Sequence, residues 1–235
     1  MTRGTASAAT VARRTATLSR FFTWALRHQL CTTHPLAARE ATHTRRRLPR
    51  PIPAGDERTA IDTVITTAPP PYHHILILLR ETGMRTGEAL MLTIGDVTLA
   101  LGREGIRVRD PKNGTERIVV LGPAATPKAL RMLRAHVGTL RGQPPHAPLF
   151  RSLRGTRVSY DALHYQWGQV CAIAGLVDAQ GKPRYTLHQL RHTRGSELVE
   201  HGHRMEIVQR VLGHRDPRST SSWAACSASR VQAKV

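Results

Sequence analysis

The chain has 235 residues, enough for one ordinary domain core plus a smaller appendage, and its 35 Lys and Arg against 16 Asp and Glu leave a formal charge of +19. That excess is beyond what solubility requires and points to a polyanionic partner, most often nucleic acid. No apolar run approaches the ~20 residues of a membrane span. Arg3, Arg13 and Arg14 lie near the start without a signal peptide's apolar stretch. Cys31, Cys171 and Cys226 stand too far apart for a disulfide framework or a zinc knuckle, so the expected setting is a reducing cytoplasm with no membrane partner.

Between Ala9 and Leu30, Val11, Leu18, Phe21, Phe22, Trp24, Ala25 and Leu26 fall on or near one stripe, which predicts an amphipathic helix with a basic outer face. Thr33-His34-Pro35 reads as a turn, and Arg45-Arg46-Arg47-Leu48-Pro49-Arg50-Pro51 as a linker. Helices are expected over Asp56 to Ala68 and Pro71 to Glu81, the second apolar through Ile75-Leu76-Ile77-Leu78-Leu79 and stopped by Gly83. His73 and His74 read as solvated or helix-end residues, like His201 and His203. Alternation on either side of Asn113-Gly114 predicts a hairpin from Ile106-Arg107-Val108 to Arg117-Ile118-Val119-Val120-Leu121. Pro127 to Arg141 is a further helix with Leu130, Leu133, Val137 and Leu140 inward. Ser159 to Ala174 is a helix with Leu163, Trp167, Val170 and Ile173 inward.

Three polar strings stand out against this background. In Thr82-Gly83-Met84-Arg85-Thr86-Gly87-Glu88 the glycines permit tight turns, so that Arg85 leaves a buried helix end toward a cleft with Glu88 near enough to hold its geometry. In Leu187-His188-Gln189-Leu190-Arg191-His192, helical spacing puts His188, Arg191 and His192 on one face while Leu187, Leu190 and Leu198 turn to the core. Ile207 to Gly213 is an amphipathic helix that stops at Gly213 and presents His214, and Trp223 follows nine residues later.

Taken in order, H-x-L-R-H as His188 to His192 and L-G-H as Leu212-Gly213-His214 resemble the tyrosine recombinase (phage integrase) family. Residues 82–88 resemble that family's first arginine motif, T-G-L/M-R-x-G/S-E. Aligned on Glu116-Arg117, the hairpin resembles its G-K-G-x-K-E-R string, with Pro111 and Asn113 at the glycine positions, which places the family's catalytic lysine at Lys112, and Leu149-Phe150 resembles the short strand before the family's next helix. The family's nucleophilic tyrosine stands nine residues beyond the last histidine, and here that position holds Trp223. The resemblance implies a mainly α-helical domain with a small antiparallel β-sheet (α+β) over residues 52–235. Residues 1–50 would form a truncated helical, SAM-like core-binding segment and linker, about the last half of the family's DNA-gripping domain.

The resemblance further implies a protein of site-specific DNA recombination and integration, with double-stranded DNA as partner, homo- or hetero-oligomers on that DNA, and neither metal nor cofactor. Arg85 and Arg191 would hold the scissile phosphate, since guanidinium is permanently charged and pairs bidentately with phosphate oxygens. His188 and His214 would donate hydrogen bonds to the same oxygens or move a proton, and Lys112 would protonate the departing 5′ oxygen. An indole offers one N–H donor and no nucleophile, so strand cleavage is expected to be impaired. The alternative is a non-catalytic DNA-binding remnant or partner subunit of an active recombinase. A metal-dependent hydrolase, suggested by thirteen histidines and the i,i+4 pair His188/His192, lacks the glutamate of H-E-x-x-H and any nearby acidic ligand.

Overall fold

The computed structural model describes residues 6–38, 50–110 and 115–213. Lys112, His214, Trp223, Cys226 and the arginine triplet 45–47 lie outside the described residues. The chain divides into two compact units, Met1–Arg47 and Leu48–Val235.

In the first unit, helix α1 (Ala8–Arg27) starts at Ser7, whose hydroxyl accepts the Thr10 N–H and so satisfies one of the donors that a helix start leaves open. Of its apolar stripe only Ala25 is buried, while Leu18, Phe21 and Trp24 are about half exposed.

The second unit is built around a helix with a continuous apolar run. Four helices come first: α2 (Asp56–Val64), α3 (Tyr72–Thr82), the short α4 (Thr86–Met91) and α5 (Pro127–Thr139). They are followed by α6 (Tyr160–Ile173), α7 (Leu187–Glu200) and α8 (Met205–Leu212). Ile75 to Leu79 are buried all round α3, as an apolar run without a polar face requires, and α3 packs on both α5 and α7. Its Glu81 carboxylate accepts the Lys128 and Ala129 N–H groups at 3.2 and 2.8 Å, capping α5 from outside, since Thr126 at that helix's start makes no side-chain cap. Leu130 and Leu133 are buried as expected, with Val137 and Leu140 packed half-buried beside them.

The sheet has order β1-β2-β3 and is antiparallel: Val97–Thr98, Gly105–Asp110 and Thr115–Val120. The expected hairpin is β2 and β3, in register with Val108 opposite Arg117 and Ile106 opposite Val119. The edge strand β1 has no signal in the sequence. Ile106, Val108, Val119 and Leu121 point inward. Leu149-Phe150 is no strand: an isolated bridge joins Pro148 to Thr93, and the Leu149 N–H binds Leu92 O at 3.0 Å. Ile173, expected inward, is 66% exposed because α6 closes its buried face with Leu163, Trp167, Val170 and Cys171, one step round the helix. Trp167 is fully buried and donates its indole N–H to Tyr185 O at 2.7 Å, which fixes the chain entering α7.

Behind α7 an ion network ties three helices together. Arg80 on α3 forks onto Asp62 of α2 at 2.7 and 2.9 Å and onto Glu197 of α7 at 2.6 and 2.8 Å. Burial alone would raise the Glu197 carboxyl, but the Arg80 hydrogen bonds outweigh it and hold it below the usual carboxylate range.

His73 and His74 are helix-end residues, as expected, in the first turn of α3, but they are half-buried in a ring cluster and not solvated. Their rings lie 3.9 Å apart, His136 is 4.5 Å from His74, and His136 in turn stacks on Phe150. Burial, then the neighbouring His73 and His136, depress His74 from 6.5 to about 4, and burial likewise lowers His73. The unfolded chain therefore takes up protons first as pH falls through 6.5. Stability should be complete above that value and decline as pH approaches 4, with roughly 1–2 kcal/mol lost by about pH 5 after allowing for the cluster's partial exposure. Urea unfolding at neutral and mildly acid pH should show this decline, and His74→Phe should flatten it. An unaltered pH slope in that variant would locate the sensitivity elsewhere.

Candidate functional site

The site forms where two helices end. α3 stops at Gly83 (φ +67°) and α8 stops at Gly213 (φ +64°), both in the left-handed region open to a residue without Cβ. A Cβ at Gly83 would lie 2.8 Å from Leu212 Cδ2, so a side chain there would have to displace Leu212 as well as adopt a left-handed backbone. The last carbonyls of a helix lack intrahelical donors and carry the negative end of its dipole, so a buried junction of two such ends calls for a cation.

Arg191, from the middle of α7, supplies it. Its side chain is 4% exposed, and it donates Nη1–H to Gly83 O at 2.7 Å and Nη2–H to Leu212 O at 2.6 Å. Burial, and after it the nearby Arg85 charge, lowers this guanidinium to about 9, so it stays charged at neutral pH. Arg191, expected on one helix face with His188 and His192, is thus a buried bracket between α3 and α8.

Arg85 sits at the start of α4. Its backbone N–H donates to Glu88 Oε2 at 2.7 Å and its Nη1–H to Glu88 Oε1 at 2.8 Å, while Nη2 reaches Gly213 O at 3.4 Å. Arg191 and Arg85 therefore address consecutive carbonyls, Leu212 and Gly213, whose Cα atoms are ~3.8 Å apart along the chain. Two cations gathered at one place leave Arg85 half exposed above and Arg191 buried below.

His188, one turn before Arg191 on α7, joins them: burial, then Arg191 and then Arg85, lower its imidazole, so it is neutral at pH 7. His192 meets the His188 ring edge-on at 4.7 Å and is pushed to about 4 by burial, then by His188 and Arg191. Among the described residues no group of three or more His, Cys, Asp or Glu converges as a metal site.

The structure thus brings Arg85, His188 and Arg191 to one place. Lys112, His214 and Trp223 lie outside the described residues, although His214 follows Gly213 directly in the chain.

The residue that sequence reasoning passed over is Arg117. From β3 it clamps Glu88 with Nη1 on Oε1 at 2.9 Å and Nη2 on Oε2 at 2.7 Å. Burial alone would raise Glu88, but the Arg117 hydrogen bonds, then those from Arg85, bring it to about 2. The signal was parity: Arg117 shares a strand face with Val119 and Leu121, and an arginine on an inward face needs a carboxylate to meet it.

A mainly helical domain with one small antiparallel sheet is the fold of tyrosine recombinase catalytic domains. It superposes on the XerH site-specific recombinase bound to difH substrate with a TM-score of 0.72 at 20% identity, covering 94% of this chain and 63% of that one. Against a lambda integrase dimer bound to a COC′ core site the TM-score is 0.68 at 22% identity, covering 92% and 59%. The sequence profile of the phage integrase family matches residues 56–230, and the chain belongs to that family. It is 28% identical over 226 residues to tyrosine recombinase XerC of Herpetosiphon aurantiacus, covering 94% of this chain and 70% of the relative. It is 32% identical over 161 residues to XerD of Pseudomonas aeruginosa, covering 67% and 50%. The chain therefore spans between half and about two thirds of several of these proteins.

Proposed function

We propose that this chain binds double-stranded DNA as an integrase-like protein of site-specific recombination and integration. In this reading Arg85 and Arg191, with His188, receive one backbone phosphate. The observation that carries it is the meeting of these two guanidinium groups, 106 residues apart in sequence, at consecutive carbonyls of one helix end. In-line attack on a phosphodiester spreads charge over its non-bridging oxygens, and fixed cations in a partly dehydrated site oppose that charge without reorganising. A neutral His188 donates one hydrogen bond at the same place and takes up a proton more readily once an anion offsets the arginines. Lys112 would protonate the departing 5′ oxygen, and His214 would add a further donor beside Gly213.

Trp223 occupies the position of the family's nucleophile, and an indole cannot form a phosphodiester-derived covalent intermediate. We therefore assign DNA binding with impaired strand cleavage. The second reading, a non-catalytic DNA-binding partner of an active recombinase, is favoured by the same tryptophan. Residues 1–50 are assigned to the helical DNA-gripping segment and linker, and 52–235 to the catalytic-type domain. Oligomers on DNA belong to the same proposal, supported by the likeness in fold to a lambda integrase dimer bound to a COC′ core site and a tetramer bound to a Holliday junction. No described helix is long and apolar enough to cross a membrane.

Binding to duplex DNA should weaken by roughly 10³ or more between about 50 and 200 mM salt if six to ten phosphates are contacted. Gel-shift titration at several salt concentrations measures this, and a flat dependence would remove DNA from the account.

A further inference from the structure

We propose that Arg117 is a positioning residue for Arg85: by occupying the Glu88 carboxylate with its own fork, it keeps Arg85 turned outward and available to a phosphate. This rests on the reading that the Arg85 and Arg191 cluster receives a DNA phosphate. Both terminal nitrogens of Arg117 lie on Glu88, one on each oxygen, whereas the Arg85 side chain reaches that carboxylate through Nη1 alone. Exposure follows the same division, with the Arg117 side chain 20% exposed, that of Glu88 14% and that of Arg85 48%.

A planar carboxylate accepts one fork well, so the second guanidinium is left with donors to spare. Without Arg117, Glu88 would be a half-buried carboxylate with Arg85 as its nearest cation, and the full fork would close on Arg85. Arg117 also lies beneath the end of α8: a Cβ on Gly213 would come within 2.5 Å of Arg117 Nε, and Gly213 O is the carbonyl that Arg85 Nη2 approaches. The hairpin, the Arg85 turn and the α8 end are thereby set against one another by a single side chain. With both ends of its fork engaged, Arg117 is a support for the cation that meets DNA, not a phosphate contact itself.

The test is a double-mutant cycle on affinity for a short random-sequence duplex at fixed salt, using the full chain. Arg85→Ala and Arg117→Met should each weaken binding about tenfold, and the double variant about tenfold as well rather than about a hundredfold, because the second change removes what the first has already disabled. Multiplying losses would mean that Arg117 acts independently of Arg85 and would overturn the assignment. So would unchanged binding by Arg117→Met while Arg85→Ala weakens it. If Arg85→Ala itself leaves affinity intact, the phosphate-site reading fails, and this inference with it.

Should Arg117→Met fail to fold, Arg117→Lys, which keeps the charge but not the fork, runs through the same cycle. A second readout is the carboxyl ¹³C titration of Glu88, which is faced by Arg85 from its own turn, Arg117 from β3 and Arg191 from α7. It should move up in the Arg117 variant, and an unmoved titration would exclude Arg117 as the holder of that carboxylate.

Discussion

Incubated with a nicked suicide duplex and resolved on a denaturing gel, the native chain should yield no covalent protein–DNA adduct, whereas Trp223→Tyr should yield one. In the proposed reading the contrast is large because the group that would make the bond is the one replaced. Fixed arginines lower the barrier to attack on phosphorus, but something must attack, and the tryptophan ring nitrogen has its lone pair committed to the aromatic system. Loss of a nucleophile in enzymes of comparable logic costs on the order of 10⁶ in rate, far beyond what the surrounding electrostatics can restore. A tyrosine borrowed from a neighbouring copy does not change the expectation, since the equivalent segment of an identical chain again holds Trp223. An adduct from the native chain would overturn the assignment of impaired cleavage and identify another nucleophile. Failure of Trp223→Tyr to react would show that restoring the hydroxyl is insufficient and direct attention to Ala225, where the family's frequent Y-x-H pattern has a histidine.

The second large effect is on folding. Arg191→Ala should lower stability by about 3 kcal/mol, because Gly83 O and Leu212 O would lose charged donors inside a closed junction and a cavity would replace the side chain. The desolvation of a buried guanidinium is relieved at the same time, which keeps the loss from being larger. For a domain of this size the melting temperature should fall by roughly 6–12 °C. Arg191→Lys keeps a charge but cannot span both carbonyls, and should fall between the parent and the alanine variant. Arg85→Ala makes the comparison informative: that side chain is half exposed, so its removal should shift melting by only about 1 kcal/mol while still weakening DNA binding. Calorimetry on the three variants measures the difference, and equal melting of Arg191→Ala and the parent protein would end the bracket description.

What the sequence disclosed depended on whether neighbours along the chain or across the fold decide a residue's place. The apolar run Ile75 to Leu79 has no polar face and could only be a buried helix. Asn113-Gly114 between alternating segments marked the hairpin, and the motif spacings singled out Arg85, His188 and Arg191, which the fold then places together.

Other residues were decided at longer range. Ile173 satisfies a helical stripe but lies one step beyond the face that α6 buries. His73 and His74 sit at a polar helix start, and only the fold brings His136, more than sixty residues later, against the His74 ring. The strand β1 is two residues long and exists only because β2 offers it an edge. Strand parity turns Arg117 inward, but its partner Glu88 is brought opposite it only by the fold. In the same way, the inward turn of Arg191 follows from two helix ends meeting, which no local pattern records.

A chain that does not cut DNA would still have two helix ends to hold shut, so the bracket accounts for Arg191 whether or not a nucleophile stands beside it. The presence of this arginine therefore says little by itself about whether its owner breaks a strand.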